Sequence, residues 1–443
     1  MRVDIRHADL FHEVINQTYP GLDLPFLNGI TIDSRLVKQH DIFIAMKGEN
    51  TDGHNYIKQA LDAGATACIV ERDGDIYNSV FKVSSARDFL NKIASIYRGN
   101  LNCPVIGITG SNGKTTTKDL LAHVFTADRE VMFTRGNFNS TIGVPLSIFE
   151  CGKDVDIAII EMGASRPGEI EYICNIIQPD MGVITNVFEA HIKFFGSIET
   201  IAETKSALFL SLLESGTAFV NMDDKYIQRM NIPCKRIEFS MSKLVDFQGF
   251  WSKDDQTLTV NETSMKLNTP SYTLGMNALA VFSIASYMGM NSITIKQQIE
   301  SFEPPVGRGN VINLRNFIII NDSYNSNLES AQSGINNLIS MKGNNRKIAV
   351  IGDMLELGNM DKNHHQSLGR YLSEQKVDAV FAFGDLTRHT IRAMNGTNFF
   401  HQFYDDKNDL LVELKEFLLE GDIIYVKGSR RMKMEEIIIG LQA

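Results

Sequence analysis

"GITGSNGKTTTK", Gly107 to Lys118, is the stretch from which the rest of the chain is read. It overlaps "VIGIT", a continuous apolar run of the kind that predicts a buried strand, and it opens "TTTKDLLAHVF", which predicts a helix. In a strand, glycine-rich turn and helix, backbone N–H groups and the helix dipole point at an anion. Lys114 would neutralise the charge of a nucleotide's terminal phosphates, and the Thr115 hydroxyl would ligate Mg²⁺. The standard phosphate loop, G-x-x-x-x-G-K-[ST], has a glycine five residues before the one preceding lysine. Counting back from Gly113 reaches Ile108, while the glycines stand at 107 and 110. The stretch is therefore a variant phosphate loop. An ordinary strand–helix turn is the competing reading, and Gly-Lys-Thr at the helix start weighs against it.

Outward from this loop the texture repeats. "DIAIIEMGA" and "MGVITNV" are again buried strands followed by polar loops, and "SIETIAETKSALFLSLLE" is a helix. Such alternation predicts a doubly wound α/β fold with a mainly parallel sheet. Upstream, "DIFIAM" and "ACIV" read as strands around the helix "YIKQALDAGA". Residues Asp246 to Ser271 are polar and alternating, a small β excursion, and "NALAVFSIASYMGM" is helical. "FEPPVGRGN" reads as a linker. Beyond it the α/β pattern restarts with strands "FIIIND", "KIAVIGDM", "DAVFAFGD" and "DIIYVKGS" and helix "LESAQSGINNLISM". A chain of 443 residues exceeds what one core sustains, so two or three domains are expected.

Composition excludes several classes. Hydrophobic content of 43% and charged content of 22% are ordinary for a globular protein. A net charge of −10 argues against nucleic-acid binding and against docking on anionic membrane. An anionic substrate would need a local basic pocket. The five cysteines are scattered without a CxxC, which fits reduced thiols in a cytosolic protein. The opening "MRVDIRHADLFHEV" is polar and unlike a signal peptide, and no apolar run reaches membrane-spanning length. A cytoplasmic monomer, with neither nucleic-acid partner nor membrane insertion, is expected.

Several side chains could carry chemistry. Glu161 in "IIEMGA" sits at the C-terminal end of a strand, where ligands of open α/β sheets bind. His191 in "TNVFEAHIKFFGS" follows another such end. With Thr115 they follow three strands of one sheet, which favours a shared Mg²⁺ site over a solvated acid and a surface histidine. Lys205, in "IAETKSALF", reads on composition alone as a surface lysine. "GNFNSTIGVP" concentrates Asn137 and Asn139, amides suited to a polar substrate, though an Asn-rich loop is usually only a loop. "INDSYNSN" puts Asp322, Ser323, Tyr324 and Asn325 at a strand's end. "YVKGSRRMKMEE" gathers Lys427, Ser429, Arg430, Arg431 and Lys433, either a solvated basic face or an anion pocket.

With these pieces in order, the chain resembles the Mur ligase family, the ATP-dependent amide-bond synthetases of peptidoglycan precursor assembly. The family's loop, Thr-Gly-(Ser/Thr)-Asn-Gly-Lys-Thr, is "TGSNGKT" here, which accounts for the spacing. Folylpolyglutamate synthases carry a similar loop. "GNFNSTIGVPLSIF", "EMGASRPGEI", "AHIKFFGSIETIA", "NDSYNSN", "VIGDMLELG" and "VKGSRRMKME" resemble the member that adds D-alanyl-D-alanine to UDP-muramoyl-tripeptide. "GDMLELG" carries that choice. The Asp-Asn-Pro-Arg motif of the diaminopimelate-adding member is missing. "IDSRLVKQHDIFIAMKGENTDGHNYI" is similar to the family's UDP-sugar domain.

The resemblance implies three α/β domains: a UDP-substrate domain at 1–101, a central P-loop ATPase-type domain with a parallel sheet at 102–308, and a Rossmann-like domain at 309–443. It implies ATP, Mg²⁺ as two ions, and an acyl-phosphate intermediate that the dipeptide's amine displaces. The loop from Thr109 through Gly110, Ser111, Asn112 and Gly113 to Lys114, Thr115 and Thr116 would hold the phosphates, with Asn277, Arg308 and Asp322 on the nucleotide. Thr115, Glu161 and His191 would hold metal. Lys205 matches a lysine that is often carbamylated, from CO₂, and then binds the second ion. Lys114, His191 and Lys205 are thus the expected catalytic set. Ser34, Arg35, Asp52, Gly53 and His54 match UDP-side loops. Asn137, Asn139, Asn325, Lys427 and Ser429 are assigned to substrate, and His365 to the same face. The chain departs from the family at Thr273 and Leu274, where His-Asn is usual, at Ala207, where an acid is usual, at Ser165 for asparagine and at Leu328 for proline. The alternatives are another amino-acid-adding ligase of this family and a non-catalytic nucleotide-binding switch.

Overall fold

The computed structural model describes all residues except 23, 25–26, 49–50 and 73–78. Glu49 and Asn50, inside the segment similar to a UDP-sugar domain, thus lie outside the described residues. The chain builds three mostly parallel sheets. The first has five strands in the order Arg2–Asp4, Gly29–Thr31, Asp41–Ile44, Ala67–Val70 and Val80–Lys82, with only the first pair antiparallel. The third has six, in the order Asn310–Asn313, Ile318–Asp322, Ile423–Lys427, Lys347–Gly352, Ala379–Phe383 and Phe400–Tyr404, again with one antiparallel edge pair.

The central sheet has nine strands. Lys235–Ser240, Thr217–Asn221, Met181–Ile184, Val105–Thr109, Ile157–Glu161 and Val131–Phe133 lie in that order and run parallel. The strands Val105–Thr109, Ile157–Glu161 and Met181–Ile184 are buried and almost continuously apolar because helices cover both faces, so no alternation survives in their sequence. The β excursion is the strands Phe247–Ser252, Thr257–Val260 and Thr263–Lys266, which extend this sheet as an antiparallel meander.

The chain enters the central sheet at Val105–Thr109, builds Val131–Phe133 and Ile157–Glu161 on one side, then crosses to Met181–Ile184 on the other. That reversal opens a crevice above the C-terminal strand ends, where ligands bind in such sheets. A continuous apolar core links the parts, with Phe11, Tyr97 and Phe149 in edge-to-face contact at 5.2 Å. Among the described residues no helix is long and apolar enough to cross a membrane.

Candidate active site

A cavity of about 1440 Å³ opens over the crevice, between the central and third sheets. Its floor is the loop Ser111–Gly113 and the start of the helix Lys114–Phe125. Gly113 caps that helix in the left-handed region, at φ 82°, and a Cβ there would stand 2.7 Å from Asn277 Oδ1. Gly110 is walled by the Thr185 side chain. Neither position admits another residue, which is why this loop keeps these glycines and not the standard pair. The first helical bond runs from Thr117 N–H to the Gly113 carbonyl at 2.8 Å, so the N–H groups of Lys114, Thr115 and Thr116 remain for a ligand.

The loop is sewn to the next crossover. Ser111 N–H donates to Asn186 O at 2.9 Å and Asn112 N–H to Asn186 Oδ1 at 2.8 Å. Ser111 Oγ donates to Phe188 O and accepts from Phe188 N–H, at 2.9 and 2.8 Å. Thr109 Oγ1 donates to Met162 O at 2.9 Å and is fully buried. The side chains of Thr109 and Ser111 therefore hold the loop's shape.

Charge concentrates at its mouth. Lys114 Nζ donates to the carbonyls of Gly110 and Ser111 at 2.8 and 3.1 Å. Burial lowers this ammonium to about 8, with Glu161 opposing and Arg308 adding to the shift. Lys205 is no surface lysine: it is 3% exposed and its Nζ donates to Gly110 O at 3.0 Å. Burial, and then Lys114, hold it well below the usual lysine range. Glu161 is 1% exposed, and its Oε1 accepts from Thr115 Oγ1 at 3.1 Å and from Asn139 Nδ2 at 2.7 Å. Its Oε2 is buried without a partner among the described residues. His191 stands at φ 55° and its Nδ1 lies 2.5 Å from Glu356 Oε2 of the third domain. Burial lowers this imidazole; Glu356 opposes the shift, and Lys114 and Lys205 add to it. Among the described residues no group of three or more His, Cys, Asp and Glu is placed to hold a metal. The Glu161–Thr115 pair would have to draw on His191 and on oxygens of a bound ligand.

The third domain supplies the opposite wall. Arg308 donates to Thr115 Oγ1 at 3.2 Å and lies over the Tyr324 ring at 3.7 Å. Asp322 Oδ2 accepts from Lys427 Nζ at 2.5 Å and from the Tyr425 hydroxyl at 3.0 Å, while Lys427 also donates to Asn325 O at 2.9 Å. Asp322, placed on the nucleotide from sequence, and Lys427, placed on the substrate, are thus one buried pair. Asn137, Asn139, Asn277 and Asn325 line the same cavity.

Other candidates are held elsewhere. Ser429 Oγ accepts from Leu355 N–H at 2.9 Å. His365 is fully buried, accepting from Met354 N–H through Nε2 at 3.1 Å and donating through Nδ1 to Asp361 O at 2.8 Å. Both side chains serve backbone groups of the third domain, and His365 does not face the reaction site, because its two ring nitrogens are already used. In the first domain Ser34 Oγ donates to Gln59 Oε1 at 3.0 Å and Arg35 pairs with Asp33 at 2.7 Å. Asp52 caps the turn Gly53–Tyr56, His54 Nδ1 lies 2.6 Å from Asp52 Oδ1, and His54 Nε2 accepts from Glu71 N–H at 3.0 Å. None of Ser34, Arg35, Asp52, Gly53 and His54 lines the cavity.

The departures at Thr273, Leu274 and Leu328 have local settings. Thr273 Oγ1 lies 2.5 Å from Ser333 Oγ across the domain boundary, and Leu274 packs in the core. Leu328 is the first residue of the helix Leu328–Ser340, where an N–H has no helical partner, so proline is dispensable. Sequence reasoning passed over the contacts between domains. Asn112 and Asn327 exchange amide hydrogen bonds at 3.3 and 2.9 Å, and Glu189 meets His364 at 2.9 Å. Asn112, Asn327, Glu189 and Glu356 all lie in stretches quoted above, but nothing in those stretches paired them across the domains.

Three family models match the chain: Mur ligase family, catalytic domain, over residues 27–107; Mur ligase middle domain over 108–288; and Mur ligase, glutamate ligase domain, over 307–430. The chain is 33% identical to the UDP-N-acetylmuramoyl-tripeptide–D-alanyl-D-alanine ligase of Bacillus subtilis, over 95% of this chain and 94% of that one. It is 29% identical to the Escherichia coli protein of that name, over 97% of each. Its fold is similar to that of MurF from Acinetobacter baumannii, with a TM-score of 0.87 at 27% identity over 98% of each chain. It is also similar to the MurF ligase of Thermotoga maritima solved in complex with ADP, with a TM-score of 0.84 at 30% identity over 95% of this chain and 97% of that one.

Proposed function

The chain belongs to the Mur ligase family, and we propose that it joins D-alanyl-D-alanine to a UDP-N-acetylmuramoyl-tripeptide, cleaving ATP to ADP in peptidoglycan precursor synthesis. The observation that carries this reading is the meeting of Lys114, Thr115 and Glu161 at a free helix N-terminus, facing Arg308 across the cleft.

The chemistry explains that arrangement. A carboxylate resists attack by an amine until one of its oxygens becomes a good leaving group. The tripeptide's terminal carboxylate attacks the γ-phosphorus, its oxygen forms the P–O bond, and ADP leaves. The dipeptide's amine then attacks the acyl carbon, phosphate departs with the C–O electrons, and the amine loses a proton. Two anions must approach in the first step. The N–H groups of Lys114 to Thr116, Lys114 Nζ and Arg308 would bear that charge, and in such transfers positioning and electrostatics do most of the work.

The residues fit a divalent cation: Glu161 offers a buried oxygen without a partner beside a hydroxyl, and hard cations take oxygen ligands. Thr115, Glu161 and His191 would hold Mg²⁺, which when bound neutralises developing phosphate charge. Carbamylation requires a neutral amine, which burial favours at Lys205, and the product would be a carboxylate for a second ion. Asn277 and Asp322 are assigned to the nucleotide, Asn137, Asn139, Asn325 and Lys427 to the peptide substrates, and Ser34, Arg35, Asp52, Gly53 and His54 to the UDP end. We assign the domains to 1–101, 102–308 and 309–443, and the protein to the cytoplasm as a monomer.

The test is a substrate panel. ATP, UDP-muramoyl-tripeptide and either D-alanyl-D-alanine or single amino acids are incubated with the protein, and products are read by mass spectrometry. Coupling of the dipeptide with stoichiometric ADP is expected. Coupling of single amino acids alone would assign another member of the family, and no coupling at all would leave a nucleotide-binding switch.

A further inference from the structure

We propose that Glu356 is a positioning residue for His191: its carboxylate, delivered by the third domain, holds the imidazole with its proton on Nδ1 and leaves Nε2 free toward the nucleotide. The inference rests on the reading above, in which His191 serves the phosphate end of the cleft.

The geometry is built from both sides. His191 Nδ1 and Glu356 Oε2 are 2.5 Å apart, although the residues are 165 positions apart in sequence. Both occupy the left-handed region, at φ 55° and φ 66°. Non-glycine residues persist there only where their surroundings over-determine them, and such positions cluster at functional sites. Here the two segments lock together: Lys193 N–H donates to Glu356 O at 3.2 Å, and Gly358, at φ 60°, leaves room for Lys193, whose Cβ would meet an added Cβ at 3.3 Å.

The segment that presents Glu356 is pinned residue by residue. Asp353 Oδ1 accepts from Leu386 and Thr387 N–H at 3.0 and 2.9 Å, and its carbonyl accepts from Ser429 N–H at 3.0 Å. Met354 N–H donates to His365 and Leu355 N–H to Ser429. Met354 and Leu357 are buried in the core. Between these anchors Glu356 alone turns outward. The roles of "GDMLELG", His365 and Ser429 follow: they are the mount for one carboxylate. A side-chain contact whose partners are 31% and 42% exposed contributes little to holding domains together, so stability does not account for this mount. A carboxylate that takes the second ring proton of a ligand histidine fixes its tautomer and orientation.

The test reads the tautomer directly. Long-range ¹H–¹⁵N spectra of histidine-labelled, ligand-free protein at pH 8 are expected to show the His191 proton on Nδ1. In Glu356→Ala it should move largely to Nε2, the form free imidazole side chains prefer. Glu356→Gln keeps an acceptor oxygen and should keep the Nδ1 form. In parallel, kcat should fall about 10- to 100-fold in the alanine variant and recover most of that in glutamine. An unchanged His191 tautomer in Glu356→Ala, or equal losses in both variants, would overturn the proposal. Should the wild type make no amide yet show the tautomer shift, the inference stands and the ligase reading fails.

Discussion

Lys205 and Lys114 meet at one oxygen, the carbonyl of Gly110, from which their Nζ atoms lie 3.0 and 2.8 Å away. Two charged amines on one acceptor would repel, so burial and this closeness together disfavour the proton on Lys205. A ligand phosphate would relieve the repulsion. Lys114→Met is therefore expected to abolish measurable ADP and amide product, and Lys205→Met to lower kcat by about 10²-fold, the scale of one lost charge-stabilising donor. Because Lys205→Met replaces a buried amine, whose charging is disfavoured, by an apolar chain of similar length, its melting temperature should not fall. Undiminished product from Lys114→Met would remove this loop from the chemistry. Carbamylation is read separately: activity should drop in bicarbonate-free buffer, and intact mass should show the adduct. Bicarbonate-insensitive activity with an unmodified lysine excludes it.

Glu161 keeps one oxygen for Thr115 and Asn139 and one that meets no partner among the described residues. Glu161→Gln preserves the first and discharges the second. The Mg²⁺ concentration for half-maximal activity should rise at least about tenfold, since a charged carboxylate ligand becomes an amide. The metal-free protein should melt no lower than wild type, because burying a carboxylate with one oxygen unsatisfied is unfavourable. An unchanged Mg²⁺ requirement would mean that the free oxygen is not a ligand.

Arg308 joins two walls of the cleft, stacking on Tyr324 and donating to Thr115. Arg308→Ala should raise KM for ATP about tenfold, roughly the contribution of a stacked and charge-assisted contact. Arg308→Lys should recover little, because an ammonium cannot stack as a planar guanidinium does. Titration calorimetry with ADP checks both. Equal affinity in wild type and alanine variant would assign Arg308 to domain closure alone.

Three parallel strands of the central sheet were legible because helices on both faces leave them nearly uninterrupted apolar runs, as in "VIGIT" and "IAIIE", whereas "KRIEFS" at Lys235–Ser240 carries no such signal. Thr115 and Glu161 were legible because a strand's end fixes where the next side chains point, and the two do meet. Lys205 was not: a lysine on a helix shows its burial only when the loop it lies under is placed. Contacts between domains were hidden for the same reason, since Asn112 and Asn327 are 215 residues apart. Ser429 and His365 each accept from a backbone N–H, a structural task that looks, in sequence, the same as awaiting a substrate.

The mount for Glu356 makes the third domain sensitive to acid. His365 accepts a hydrogen bond from Met354 N–H through Nε2, so the folded state needs that nitrogen unprotonated. Burial pushes the imidazole down to about 4 from its ordinary 6.5, with His389 and His364 adding to the shift. Between those values the unfolded chain binds the proton and the folded chain does not, so stability rises with pH. This contribution is fully present above about 6.5 and is lost as pH falls toward 4, by on the order of 3 kcal/mol. Asp353 works in the opposite direction, because burial raises its carboxyl to about 6 and the folded state then favours its protonated form. Wild type alone would therefore show only the difference, and a variant is needed to isolate the histidine. His365→Gln should be less stable at pH 7.5 by about 1–3 kcal/mol, having lost well-placed hydrogen bonds. Its stability should then fall less than that of wild type between pH 6.5 and 4, as urea unfolding at a series of pH values would record. Parallel curves for the two proteins over that range would mean that His365 is not the group whose protonation loosens the fold.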